Sequence, residues 1–149
     1  MTKKRNAPLL YAASGLIPLA IIFIVYYLLA CIPFGTKTVV FMDSSYQYVN
    51  FASYLRTIFT GENDKLYSFS KNLGGEMLSL LSYYLISPFS LLFALATDDN
   101  IPLVFTLVAA LKMAACGVSF FWASCRRFGL HPSGLIFSTA YALMGYTTM

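Results

Sequence analysis

Charge is the scarcest resource of this chain: Lys, Arg, Asp and Glu together make up 11% of its 149 residues, while 58% are hydrophobic and 17% aromatic. Soluble domains carry roughly a quarter charged residues, so this deficit excludes an ordinary water-soluble domain and points to an all-α integral membrane protein. The mean hydropathy of +0.69 agrees. Histidine is nearly absent: His131 is the only one, beside Pro132 and without a second His or Cys nearby, which argues for a surface residue and against a metal ligand. Cysteine is sparse too. Cys31, Cys116 and Cys125 are odd in number, lack C-x-x-C spacing and fall within or at the ends of apolar runs, so they predict apolar packing. No Walker-type Gly-rich loop ending in Lys-Ser/Thr occurs, and the net charge of +4 is too small and dispersed for nucleic-acid binding. That charge bears on orientation instead.

What the chain has is long apolar runs. Leu9 to Ile32 is interrupted only by Ser14, Gly15 and Pro18, and at 1.5 Å per residue it reaches roughly 36 Å, enough for a first span with some tilt. Lys3, Lys4 and Arg5 precede it, which by the positive-inside rule predicts a cytoplasmic N-terminus. Leu28-Leu29-Ala30-Cys31 has the look of a lipoprotein cleavage box, but the run exceeds the roughly 7–15 residues of a signal-peptide core, and an uncleaved span is predicted. Ile101 to Ser124, broken only by Lys112 and followed by Arg126 and Arg127, reads as a second span with a cytoplasmic stop. Leu135 to Met149 then begins a third.

Met77 to Ala96 is apolar enough to cross but contains Pro88. If it crossed, Arg126 and Arg127 would be left outside, against the charge rule. The prediction is an interfacial or re-entrant segment, two short helices broken near Pro88; the alternative is an ordinary span in a chain that breaks the rule. The organisation expected is thus a cytoplasmic tail over 1–8, a first span over 9–32, an outer loop with interfacial helices over 33–100, a second span over 101–124, a cytoplasmic loop over 125–134 and the start of a third span over 135–149. The whole reads as the amino-terminal part of a longer membrane domain, whether truncated, partial or one piece of a split protein.

Within the outer loop, Tyr48, Phe51, Ala52, Leu55 and Phe59 follow the i, i+3, i+4, i+7, i+11 spacing of an amphipathic helix. Gln47, Asn50 and Thr57 occupy the opposite side, and Asp43 projects onto the same line. Asp43 opens the polar run Asp43-Ser44-Ser45-Tyr46-Gln47-Tyr48 about ten residues beyond the first span. A carboxylate there is placed to act on a lipid-carried substrate. It is equally placed to favour a helix N-terminus, since Ser44-x-x-Gln47 fits a capping box, and such a terminus also attracts phosphate. Gly61 is expected to close the helix, with a turn at Glu62, Asn63 and Asp64, and Gly74-Gly75 to make a tight turn. Arg56, Lys65 and Lys71 are cations of the same loop that either meet a phosphate or remain solvated. Lys112 lies mid-span, where ionisable residues mark function, structural pairing, lipid binding or snorkelling.

Taken in order, the basic N-terminus and first span, D-S-S-Y-Q-Y with its amphipathic helix, Y-S-F-S-K-N-L-G-G, S-Y-Y-L-I-S-P-F-S-L-L and a span with L-K-M-A-A-C-G-V resemble the amino-terminal region of the YfhO family of bacterial multi-pass membrane proteins. Members of the family are several-fold longer. The resemblance implies a GT-C-like membrane glycosyltransferase that moves a sugar from a polyprenyl-phosphate carrier to a cell-envelope polymer such as teichoic acid on the outer face. It implies a catalytic acid in the first outer loop, which is Asp43 here, with Gln47 and Tyr48 shaping the substrate site; the charge of a departing phosphate needs cations, for which Arg56, Lys71 and Lys112 are the candidates. It names no cofactor, and a divalent metal is compatible with the chemistry without being indicated by the sequence. As a portion of such an enzyme the chain is expected to be inactive alone. The alternative is a non-catalytic membrane module: lipid-binding, transporter-like, or a partner subunit whose Lys112 completes an ion pair.

Overall fold

The computed structural model describes residues 7–40, 47–69 and 74–144. Lys3, Lys4, Arg5, Asp43, Ser44, Lys71 and the end of the third apolar stretch lie outside them. Among the described residues the fold is all-α apart from one short hairpin of two-residue strands, and the chain divides into two compact units, one formed by Met1–Ala30 with Ala109–Met149, the other by Cys31–Val108.

In the first unit, α1 occupies Ala7–Leu28 and stops short of Ile32 because Ala30 takes a left-handed conformation and the chain turns through Cys31–Lys37, closed by Ile32 N–H donating to Lys37 O at 2.8 Å. Its roughly 33 Å are sufficient to cross a bilayer. Pro18 sits mid-helix and denies the Ser14 carbonyl its usual donor. That carbonyl lies against Gly117 on α4 (Ile101–Phe128), where any Cβ would strike the Ser14 carbonyl oxygen and come within 3.2 Å of Pro18 Cγ. Gly15 on α1 in turn approaches Val118 and the Ala114 carbonyl. Lipid supplies no hydrophobic drive between helices, so such small-residue contacts, which let two backbones approach, hold the pair together. Tyr11 meets Phe121 edge-on with ring centroids 5.2 Å apart, and Phe120 stacks on Tyr141 of α5 (Gly134–Ala142) at 4.7 Å.

The distribution of side chains in this unit is inverted relative to a water-soluble bundle. Ser14 and Ser138 are buried, their hydroxyls donating to Tyr11 O and Leu135 O one turn back, while Leu9, Leu16, Ile24, Ile136 and Phe137 are exposed. Hydroxyls satisfied inside their own helix, with leucines and isoleucines outside, suit a hydrocarbon solvent. α4 ends at Phe128 against Gly129, whose φ of +82° and N–H to Cys125 O at 3.0 Å close the helix. Arg126 and Arg127 are thus in its last turn, favourable to the helix dipole, and Arg126 lies over the Trp122 ring at 5.4 Å.

In the second unit, α2 (Val49–Thr60) ends at Gly61, φ +80°, with Glu62 N–H donating to Thr57 O at 2.9 Å. The expected amphipathic helix is present: Ala52 is buried and Leu55 packs with Phe89, Leu92, Phe93, Val104, Phe105 and Val108. Phe59, expected on that face, is 51% exposed, because the core it would join ends at Leu55. A hairpin of β1 (Tyr67–Ser68) and β2 (Gly75–Glu76) follows, Tyr67 opposite Glu76. Gly74, at φ +106°, gives the Tyr67 ring room; a Cβ there would collide with the phenol oxygen and lie 2.9 Å from Cζ. Gly74→Ala is therefore expected to cost on the order of 1–2 kcal/mol, read as faster proteolytic nicking between Leu66 and Met77.

Next come α3 (Leu78–Leu85) and a 3-10 helix over Pro88–Leu95, separated by Ile86 and an extended Ser87. Two short helices broken before Pro88 are thus present, the second wound more tightly than expected. The turn Asp98–Asn100, capped reciprocally by Thr97 and Asn100, leads straight into α4.

Candidate functional site

Of the residues expected at the site, Gln47 and Tyr48 stand at the entrance to α2 and Arg56 lies within that helix. Gln47 and Tyr48 form a wider, π-type turn feeding Val49, an irregularity frequent at functional sites because it redirects side chains and backbone donors. Tyr48, the residue capping α2, makes no side-chain bond to the helix N–H groups. The expected cap at Ser44 and the carboxylate of Asp43 lie outside the described residues. Gln47 is exposed and Tyr48 half-buried, and Tyr48, Ala52 and Arg56 follow one i, i+4, i+8 row. Arg56 is half-buried, its Nε shielded from solvent.

The far end of α2 is built for rigidity. Tyr54 Oη donates to Asp64 O at 2.6 Å, the Thr57 hydroxyl donates to Tyr54 O at 2.7 Å and accepts from Asn63 Nδ2 at 2.9 Å, and Leu66 N–H donates to the Asp64 carboxylate at 3.0 Å. Thr57, expected with Gln47 and Asn50 on a polar face, thus fastens the turn at Glu62–Asp64. Lys65 is exposed.

Lys112 belongs to the first unit, whereas Gln47, Tyr48 and Arg56 belong to the second. It sits on the exposed face of α4 beside Leu111 and makes no ion pair among the described residues. Cys31 is buried and Cys116 and Cys125 half-buried, all as free thiols. His131 is exposed, its Nδ1 2.7 Å from the Ser133 hydroxyl and accepting the Ser133 N–H at 3.3 Å, a small turn ahead of α5. Among the described residues no three His, Cys, Asp or Glu side chains cluster in a way that would hold a metal ion. One carboxylate went unremarked in the sequence: Glu76 accepts both the N–H and the hydroxyl of Ser79 at 2.7 Å, anchoring the start of α3. Its signal was an acid three residues ahead of a serine at the head of an apolar helix.

Residues 14–149, nearly the whole chain, match the family of the bacterial membrane protein YfhO. The chain belongs to the YfhO family. Its two long apolar helices, Ala7–Leu28 and Ile101–Phe128, are therefore membrane-spanning helices of a YfhO-family protein, and its inverted side-chain distribution is that of a chain solvated by lipid. The family match includes the α2 entrance and the position of Asp43. No curated protein and no solved structure matches this YfhO-family chain.

Proposed function

We propose that this YfhO-family chain contributes the first outer loop of a GT-C-like membrane glycosyltransferase, which transfers a sugar from a polyprenyl-phosphate carrier to an envelope polymer such as teichoic acid. The observation carrying this reading is the family match over residues 14–149, which takes in a carboxylate, Asp43, between the first span and an amphipathic helix. Lys3, Lys4 and Arg5 before α1 and Arg126 and Arg127 at the end of α4 support a cytoplasmic N-terminus and a loop facing outward.

In this mechanism the Asp43 carboxylate accepts the proton of an acceptor hydroxyl as that oxygen attacks the anomeric carbon. The new glycosidic bond forms as the anomeric C–O bond to phosphate breaks, and polyprenyl phosphate leaves with the electron pair. One base and one displacement invert the anomeric centre. Charge gathering on the leaving phosphate requires cations; Arg56 and Lys71 are the proposed donors, with Gln47 and Tyr48 shaping the acceptor side. Lys112 supports a second reading, a non-catalytic membrane module whose mid-span cation pairs with another membrane segment or an anionic lipid.

Deletion of the gene separates the two. Loss of one sugar substituent from the envelope polymers, measured by mass spectrometry of the extracted polymer, is the result expected of a transferase. Unchanged substitution in a strain that expressed the protein before deletion overturns the catalytic reading.

A further inference from the structure

Positive and negative charge are divided between the two units. All six acids, Asp43, Glu62, Asp64, Glu76, Asp98 and Asp99, fall within Cys31–Val108. The unit formed by Met1–Ala30 with Ala109–Met149 contains none, yet it carries six of the ten Lys and Arg residues: Lys3, Lys4, Arg5, Lys112, Arg126 and Arg127. No acidic side chain of their own unit can therefore pair with the two arginines that end α4. The acids nearest to them along that helix, Asp98 and Asp99, precede its first turn, and its 28 residues put roughly 42 Å between its two ends. The helix dipole compensates little, since a C-terminus offers about half an elementary charge against two guanidinium groups.

These cations stand at a defined place on the helix surface. Arg126 follows Trp122 by one turn on the same face and lies over its ring at 5.4 Å. Trp122, Arg126, Arg127 and Phe128 are all exposed. Helix α1 runs antiparallel to α4, because Tyr11 meets Phe121 whereas Ser14 and Pro18 meet Gly117, so α1 begins at this same end. Helix α5 starts there as well, with five residues between Phe128 and Gly134. Three helix ends thus gather at a surface that bears cations and no acid.

We infer that this surface binds the headgroup of an anionic phospholipid, with the Arg126 guanidinium on the phosphodiester, Arg127 adding a second positive charge beside it, and the Trp122 ring against the glycerol and upper acyl chain. Lipid is selected over a soluble anion by where the arginines stand. They terminate a membrane-spanning helix, and Trp122 lies roughly 6 Å inside that charged end, the depth at which indole rings settle at membrane interfaces. The guanidinium fork matches the two unesterified oxygens of a phosphodiester. This inference concerns the end of α4 and does not depend on the glycosyltransferase reading.

Trp122 is the one tryptophan of the chain, so its fluorescence reads the site without a label. The full chain is reconstituted into phosphatidylcholine bilayers in which a minor fraction of the lipid, either phosphatidylglycerol or phosphatidylcholine, carries bromine on its acyl chains, where it quenches indole on contact. At equal fractions, brominated phosphatidylglycerol is expected to quench Trp122 as though enriched there by about fivefold for each arginine. Arg126→Gln keeps the tryptophan and is expected to lower the enrichment about fivefold, and adding Arg127→Gln brings the two lipids level. A variant with Lys3→Gln, Lys4→Gln and Arg5→Gln is expected to retain most of the preference. Equal quenching of the wild type by the two lipids overturns the inference. So does a preference that survives loss of both arginines, and so does one that the N-terminal variant lowers more than Arg126→Gln does, which would mean diffuse charge in place of a site. Absence of quenching by either lipid overturns it too, since protein would then cover Trp122.

Discussion

Gly117→Val is expected to destabilise the protein by on the order of 3 kcal/mol, enough to deplete it from the membrane, because the new side chain enters the space where α1 and α4 touch. The clash is with backbone: the Ser14 carbonyl, displaced from helical bonding by Pro18, stands against Gly117. Neither rotamer change nor side-chain repacking relieves such a contact, so the helices must separate, and close approach is what holds them in lipid. Gly117→Ala meets the same carbonyl and is expected to give a smaller loss in the same direction. Gly129→Ala provides the comparison. It has a positive φ and open space around it, so it is expected to cost only about 1 kcal/mol. Thermal unfolding of the detergent-solubilised protein should rank the variants wild type, Gly129→Ala, Gly117→Ala, Gly117→Val.

Asp43→Asn is expected to lower sugar transfer by about 10²- to 10⁴-fold, the range associated with a positioned general base. The substitution separates the two roles that the sequence allows for Asp43. Asn keeps the side-chain oxygen and forfeits only the carboxylate's interaction with the helix dipole, about 0.3–1 kcal/mol, so if Asp43 only steadies the entrance to α2, the variant keeps its activity and most of its stability. An amide cannot take the acceptor proton, so if Asp43 is the base, activity falls while the protein accumulates normally. Asp43→Ala removes both roles and is expected to lower stability as well, by roughly 1 kcal/mol.

Much of the fold was legible because lipid and helix geometry impose simple patterns. Span length, the apolar stripe of α2 and the left-handed closure at Gly61 each follow from a local rule, and each is present. The break before Pro88 was legible as well, since proline lacks an amide donor and restricts the residue before it. What the sequence did not reveal depends on tertiary partners. The 3-10 winding of Pro88–Leu95 has no period of its own in a run that is apolar throughout, and only packing on Ala52 and Val108 selects which row faces inward. The β1–β2 pairing is two residues long, below what alternation can signal. The role of Gly117 was hidden for the same reason, because a glycine in a span looks the same whether or not a carbonyl faces it. At the site, Gln47, Tyr48 and Arg56 fall on one short stretch as read from the sequence, whereas Lys112 belongs to a different unit.

Right-side-out membrane vesicles from cells expressing wild-type or Asp43→Asn protein, supplied with radiolabelled sugar on polyprenyl phosphate, test the central claim most directly. The account predicts label in the extracted envelope polymer with wild-type vesicles and at least about a hundredfold less with Asp43→Asn vesicles containing equal protein. Equal incorporation by the two would contradict it.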